Sequence, residues 1–268
     1  MINTNKVILR VARFLSFPVI FPEKRKTARK KIEKFLHHLL KTEYFRCEQI
    51  VNHMYQRNKE IGFEKYHLVS LGKNCFGRMF FTFWGQKPRK AEGEKTMPFD
   101  IAIHPLKTVI YLLKTHFQTY FDDLVYSESN HYWTNPVLNI QFPHDFETEK
   151  AVIIERYKNR IQALDDVLQD QTPCLFFAYT DTEASAEEIN ELNNLLAQLC
   201  THRKYKLVYM VFNHPLPSGI NDNIIVYRAD YPEGYVHMDK YTKFTKSGLS
   251  FELPIAKFMY YRIKELIK

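Results

Sequence analysis

The sequence predicts an α/β fold: a doubly wound, mostly parallel sheet with flanking helices and an N-terminal helical arm. Three observations carry this expectation. Cys174-Leu175-Phe176-Phe177-Ala178-Tyr179 is a near-continuous apolar run of strand length, the pattern of a parallel strand covered on both faces. Segments of helical period alternate with such strands through the second half of the chain. The basic residues crowd at one end: of 38 Lys+Arg and 30 Asp+Glu, residues 1–46 hold 12 and 3, leaving 26 and 27 for the other 222. The net charge of +8 therefore belongs to an arm and not to the body. At 268 residues, 45% hydrophobic and 25% charged, the chain has enough apolar content for a real core, which excludes wholesale disorder. Four Cys are too few for a disulfide scaffold, and 8 Gly exclude a collagen-like protein.

Residues 1–46 read as a basic amphipathic helical arm. Val7 to Phe21 is mostly apolar, is broken by Arg10, Arg13 and Pro18, and is shorter than a bilayer span. A secretory leader would carry its charge before the apolar run; here Pro22 and Lys24-Arg25-Lys26 follow it. Ala28 to Leu40 sets Ala28, Ile32, Phe35, Leu36, Leu39 and Leu40 on one helical face, with Arg29, Lys30, Lys31 and Lys34 largely on the other. This pattern suits a peripheral anchor on an anionic membrane surface, which would put the protein in the cytoplasm on the inner face of the membrane. A helix packed on the body with a solvated basic face has the same pattern. No recognition motif and no second basic cluster accompany the arm, so nucleic acid is not expected as a partner.

The body, 47–268, reads as an α/β catalytic domain opened by a helical linker over 47–66. Tyr66 to Leu71 is a short buried strand ended by Gly72, and Cys75 to Trp84 is helical. Gly85 to Met97 is a polar loop, His104 to Phe121 an amphipathic helix, and Tyr126 to Gln141 irregular. Glu149 to Leu168 is a helix with Val152, Ile153, Tyr157, Ile161, Leu164 and Leu168 inward. The strand 174–179 leads to a helix over Ser185–Cys200 that starts with Ser185 and Glu188 as a capping box. Strands over Lys206–Phe212 and Ile224–Tyr227 and a helix over Leu253–Ile267 complete the chain.

Ligands of open α/β sheets sit beyond the carboxyl ends of the strands. There the first strand gives Ser70-Leu71-Gly72-Lys73-Asn74-Cys75, placing Cys75 where strand turns to helix. A helix amino terminus favours a thiolate, and its N–H groups, with the Asn74 amide, can face a developing oxyanion. Ser70, Gly72 and Asn74 are thus candidates for oxyanion or substrate binding. Cys47, Cys174 and Cys200 read as inert core residues. A cysteine nucleophile needs a base and the base an orienting partner. His144, in Phe142-Pro143-His144-Asp145-Phe146, is the leading base; His237 and His104 are alternatives, and Asp100 or Asp145 is the third member.

Ser70-Leu71-Gly72-x-Asn74-Cys75, then Pro98-Phe99-Asp100, then His144-Asp145-Phe146 resembles a bacterial family described as papain-like cysteine peptidases, from about Leu68 to Val211. In that family the strand-end Cys, the Pro-Phe-Asp and the His-Asp-Phe motifs recur in this order. Trp usually follows Pro-Phe-Asp, where this chain has Ile101. The resemblance implies Cys75 as nucleophile, His144 as base, and Asp100 or Asp145 as third member. Gly72-x-Asn74-Cys75 is also similar to the Gly-Asn-Cys-Gln turn of capsule-biosynthesis acetyltransferases, with Lys73 inserted and Phe76 in place of Gln. The arm looks like the basic leaders of bacterial surface-polysaccharide enzymes.

Together these readings predict a cysteine-nucleophile hydrolase or acyltransferase acting on a glycan, acyl or peptide substrate in surface polysaccharide or lipooligosaccharide modification. Hydrolysis requires no cofactor, and transfer requires an acyl donor such as acyl-CoA. No glycine-rich phosphate loop, His-Glu-x-x-His or Cys-x-x-Cys is present, so no metal site is expected. Asp181-Thr182-Glu183 is similar to the acidic motif of glycosyltransferases, which makes such an enzyme the second reading. A non-catalytic membrane-associated binding protein is the third.

Overall fold

A computed structural model describes residues 4–16, 22–40, 42–146, 149–237 and 239–268. The last five residues of the apolar segment 7–21 lie outside them. In chain order the elements are α1 (Thr4–Ser16), α2 (Pro22–Leu39), α3 (Glu43–Lys59), β1 (His67–Ser70), α4 (Phe76–Phe83), α5 (Leu106–Lys114), β2 (Val125–Ser127), β3 (Tyr132–Asn135), β4 (Ile140–Phe142), α6 (Lys150–Gln169), β5 (Cys174–Thr180), α7 (Ala186–Leu199), β6 (Tyr205–Phe212), β7 (Ile225–Ala229), α8 (Lys240–Lys243) and α9 (Lys246–Leu266). The chain divides into two compact units, one of Met1–Met54 with Pro232–Ile255 and one of Tyr55–Tyr231 with Ala256–Lys268.

The larger unit is built on a four-stranded, all-parallel sheet in the order β1-β5-β6-β7. The α/β expectation holds. Side chains alternate across a strand, so each strand feeds both faces. Val69, Phe176, Ala178, Leu207, Tyr209 and Val211 join the core with Val109, Leu112 and Leu113 of α5, Ile153, Tyr157 and Leu164 of α6, and Ile189, Leu192 and Leu196 of α7. The opposite face carries Phe177, which meets Phe81 of α4 edge-on at 4.8 Å, and Phe212, which meets Phe76 at 5.4 Å. On that side Tyr227 of β7 packs on Phe258 of α9 at 4.7 Å. All seven residues of β5 are buried, as its unbroken apolar run predicts. Ser185 caps α7, its Oγ accepting the Glu188 N–H at 3.4 Å.

Three elements differ from the sequence reading. The helix expected to reach Phe121 ends at Lys114, because His116 and Phe117 take left-handed backbone (φ 49° and 59°) and the Phe117 N–H returns to the Leu112 carbonyl at 2.9 Å. The apolar spacing persists past that break because Phe117 and Tyr120 still enter the same core. The stretch 126–141 is not irregular: β2, β3 and β4 form a small antiparallel sheet. Its strands have only three or four residues, and its buried Asn135 breaks the apolar pattern that marks a strand. The last helix starts at Lys246 and not at Leu253, with Pro254 inside it. Thr245 provides the earlier start, its Oγ accepting the Gly248 N–H at 3.0 Å.

In the smaller unit α1 turns Ile8, Ala12 and Ser16, four residues apart, to its buried side. His37 of α2 stacks on Tyr44 at 4.3 Å, and Tyr44 packs on Phe244 at 4.6 Å. Helix α3 runs continuously from Glu43 to Lys59. Among the described residues no helix is long and apolar enough to cross a membrane.

Candidate active site

The site starts from the end of β1. Leu71 continues the ladder by donating its N–H to the Phe177 carbonyl at 2.7 Å. Gly72 then takes φ 100°, a conformation that favours glycine, and a Cβ there would stand 3.1 Å from the His104 carbonyl oxygen. Past this turn Asn74 and Cys75 lead into α4, with Cys75 at the cap position (φ −67°, ψ −4°) and 6% exposed. Gly77 lets the helix approach the sheet, since a Cβ on it would lie 2.6 Å from Ser70 Oγ and 2.9 Å from the Phe177 ring. Ser70 is therefore buried in the seam between β1 and α4, 1% exposed, and does not face an open crevice. The strands lie in chain order, so no reversal within the sheet marks a ligand crevice. The location of the site rests on the strand end itself.

The Cys75 side chain makes no capping bond; Asn74 Oδ1 instead accepts the N–H of Phe76, the first residue of α4, at 2.8 Å. The same oxygen accepts the Tyr179 hydroxyl at 2.6 Å. Burial, and after it the neighbouring Tyr231, Asp181 and Cys75, pushes the Tyr179 phenol far up, so the hydroxyl keeps its proton and acts as donor. Two donors on Oδ1 fix which end of the carboxamide is oxygen, and the NH₂ end has no acceptor among the described residues. Lys73 pairs with Asp181 just beyond β5. Asp181 is thus committed to a cation, and Thr182 closes a local turn by donating its N–H to Thr180 Oγ1 at 3.1 Å. The sequence motif gave no signal for the Tyr179–Asn74 bond, whose partners are 105 residues apart.

A short ladder leads from this turn toward His144. The His104 N–H donates to the Lys73 carbonyl at 2.8 Å, and Ile103 and Gln141 exchange N–H···O bonds of 2.8 and 3.2 Å. Residues 103–104 thereby lie between the Cys75 turn and β4, and the loop after β4 carries His144. His144 is exposed and has no hydrogen-bond partner among the described residues.

Asp145, Asp100 and His104 have other partners. Asp145 is 2% exposed and turned toward α6, where it takes Arg156, the Tyr157 hydroxyl at 3.0 Å and Arg160 at 3.3 Å. Asp100, fully buried, takes Lys87 at 3.1 and 3.2 Å and the Met97 N–H at 2.8 Å. Lys87 also reaches Glu94 at 2.9 Å. Burial pulls the Lys87 ammonium down, but Asp100 and Glu94 outweigh it and the net shift is upward, so both carboxylates face a cation. Among the described residues neither aspartate is hydrogen-bonded to a histidine. His104 is a core residue, fully buried, with its ring edge-on to Phe99 at 5.0 Å and its Nε2 2.9 Å from the Tyr120 hydroxyl. Burial pushes its imidazole down to about 3, which makes it a poor base near neutrality. His237 belongs to the smaller unit. The remaining cysteines are buried and unbridged, and burial pushes the Cys47 and Cys174 thiols up.

Among the described residues no three His, Cys, Asp or Glu side chains converge as a metal-ligand set. Comparison with models of protein families, with curated proteins and with solved structures finds no match to this chain.

Proposed function

We propose that the protein is a cysteine-nucleophile hydrolase or acyltransferase, with Cys75 as nucleophile and His144 as the base that takes its proton. The observation that supports this reading is the ladder from the Cys75 turn through residues 103–104 to β4, the strand that precedes the His144 loop. In this reading Cys75 attacks a carbonyl, His144 removes the thiol proton and returns it to the leaving group, and the Asn74 NH₂ end faces the oxyanion. Asp145 and Asp100 hold the surrounding structure through Arg156, Arg160 and Lys87 and do not orient the imidazole. The acyl-enzyme then meets water or a sugar hydroxyl.

The second part of the proposal is location. Val7, Val11, Phe14, Leu15, Phe35, Leu39 and Leu40 are all exposed on α1, α2 and the residue that follows. Exposed apolar side chains among this many cations suit a peripheral site on the inner face of the cytoplasmic membrane, where lipid-linked surface polysaccharide or lipooligosaccharide precursors are handled. The test pairs an activated acyl thioester with the full chain, with and without a sugar acceptor. The reading expects acyl release to water or sugar that Cys75→Ser abolishes. Release that is unchanged in Cys75→Ser contradicts it.

A further inference from the structure

β1 is an edge strand, paired on one side only, with β5. His67 and Leu71 donate their N–H groups to the Pro173 and Phe177 carbonyls at 2.8 and 2.7 Å, so the odd-numbered residues bond toward β5. The N–H and C=O of Leu68 therefore point the other way. Tyr66 precedes the strand in extended backbone (φ −159°, ψ 154°), and its C=O lies on the same outer edge. The edge thus offers an acceptor, a donor and a second acceptor. None of the three has a backbone or side-chain partner among the described residues. Tyr66 and Leu68 are only 3% and 5% exposed, so the edge is sheltered as well as unpaired. Sheltered backbone groups are nearly always paired, and an open strand edge pairs most readily with another extended chain.

Tyr66, His67 and Leu68 line a cavity of about 340 Å³. Phe63, Met97, Ala163 and Val167 supply apolar walls. Lys87 and Glu94 also line it but are committed to each other and to Asp100 and Arg78. Asp166 and Asp170, four residues apart at the carboxyl end of α6, add carboxylates that are 48% and 44% exposed. Lys95 pairs with Asp166 at 3.2 Å, while Asp170 takes His67 Nε2 at 2.6 Å and the Thr172 N–H at 3.1 Å. Those bonds, His67 first, hold the Asp170 carboxyl down to about 2. With three carboxylates and two lysines the lining is net negative, so it suits a basic side chain and disfavours an anion. The cavity lies at the amino end of β1, whereas Cys75 follows its carboxyl end.

We propose that this cavity binds an extended peptide segment of a partner protein by strand addition to β1, with apolar side chains against Phe63, Met97 and Val167 and a lysine or arginine side chain beside Asp166 and Asp170. Main-chain N–H and C=O groups repeat along an extended peptide at the spacing of the three edge groups, so one peptide residue can bond the Tyr66 carbonyl and the Leu68 N–H together. The apolar walls and the carboxylates then select its side chains. This inference does not depend on the chemistry proposed for Cys75.

The test is fluorescence anisotropy of the full chain with labelled pentapeptides Thr-X-Lys-X-Thr, X being Val, Ile, Leu, Phe or Tyr. At least one member is expected to bind, and hydrogen exchange at the Leu68 amide is expected to slow by about tenfold or more in the complex. N-methylation of successive peptide amides gives an alternating pattern: a loss of about tenfold or more at amides that face β1 and of less than about twofold at those between. Glutamate in place of the peptide lysine lowers affinity by about fivefold, and Asp166→Asn with Asp170→Asn removes most of that difference. No binding by any member at millimolar concentration, equal losses at successive N-methyl positions, or binding without protection of Leu68 overturns the proposal. A lysine preference unchanged in the asparagine variant overturns the placement of the basic side chain. A dimer of the chain alone that protects the Leu68 amide gives the edge to a second copy and overturns the peptide partner.

Discussion

Tyr179 donates its hydroxyl proton to Oδ1 of Asn74 across 2.6 Å. The bond ties the last turns of β5 to the loop that presents Cys75. Because the Phe76 N–H also lands on Oδ1, the carboxamide cannot turn its oxygen toward the thiol without losing two bonds. The proposed oxyanion donor is therefore held in one orientation by a residue distant in sequence.

Asn74→Ala is expected to slow acylation of Cys75 by about a hundredfold, the usual cost of losing one oxyanion donor. Tyr179→Phe keeps the ring and removes only the bond that holds the amide. Its expected effect is about fivefold, corresponding to one ordinary hydrogen bond. Stopped-flow acylation with an activated thioester measures both. Loss in Tyr179→Phe equal to that in Asn74→Ala would mean that the tyrosine contacts the reacting group directly.

Asp145 is the aspartate beside the proposed base, yet its partners are Arg156, Tyr157 and Arg160. Asp145→Asn removes a buried carboxylate facing two guanidinium groups and is expected to destabilise the fold by about 3 kcal/mol. Arg156 is a third exposed and recovers part of its loss in water, which keeps the figure at the low end. Urea unfolding reads the change. If Asp145→Asn left stability intact and slowed acylation instead, Asp145 would be acting on His144.

His104 predicts a pH dependence of stability. Its imidazole titrates near 6.5 when unfolded and is pushed down to about 3 by burial in the fold. Between those values the unfolded chain binds a proton that the native chain does not, so stability falls as pH drops through that window. The slope from this one group is about 1.4 kcal/mol per pH unit. Denaturation midpoints at pH 7 and pH 5 measure it. His104→Phe, which keeps an aromatic ring against Phe99, is expected to remove most of the slope.

Much of the larger unit was legible from residue order. The apolar run 174–179, the period of 150–168 and the Ser185 cap each announce an element that the structure contains. What escaped is the structure made by polar or short segments. β3 alternates Tyr132, Trp133, Thr134 and Asn135, and its buried Asn135 looks like a loop residue until its Nδ2 finds the Tyr120 carbonyl at 3.4 Å and its Oδ1 the Leu138 N–H at 2.9 Å. At the site, Cys75 stands at the predicted strand-to-helix turn. Partner choice was illegible because adjacency in sequence, as in His144-Asp145, says nothing of which way two side chains point. The chain turns His144 out to solvent and Asp145 in toward α6. The Lys87–Asp100 and Lys73–Asp181 pairs likewise join charges that no local pattern connects.

The most direct test of the central claim is mass-spectrometric mapping of the acyl group after brief reaction of the full chain with an activated thioester. All four cysteines are buried, but Cys75 is the one at the turn from β1 into α4, and the account predicts acylation at Cys75 alone. It predicts a rate about a hundredfold or more lower in His144→Ala, the scale of a lost general base. An acyl group on another residue, or unchanged acylation of Cys75 in His144→Ala, would contradict it.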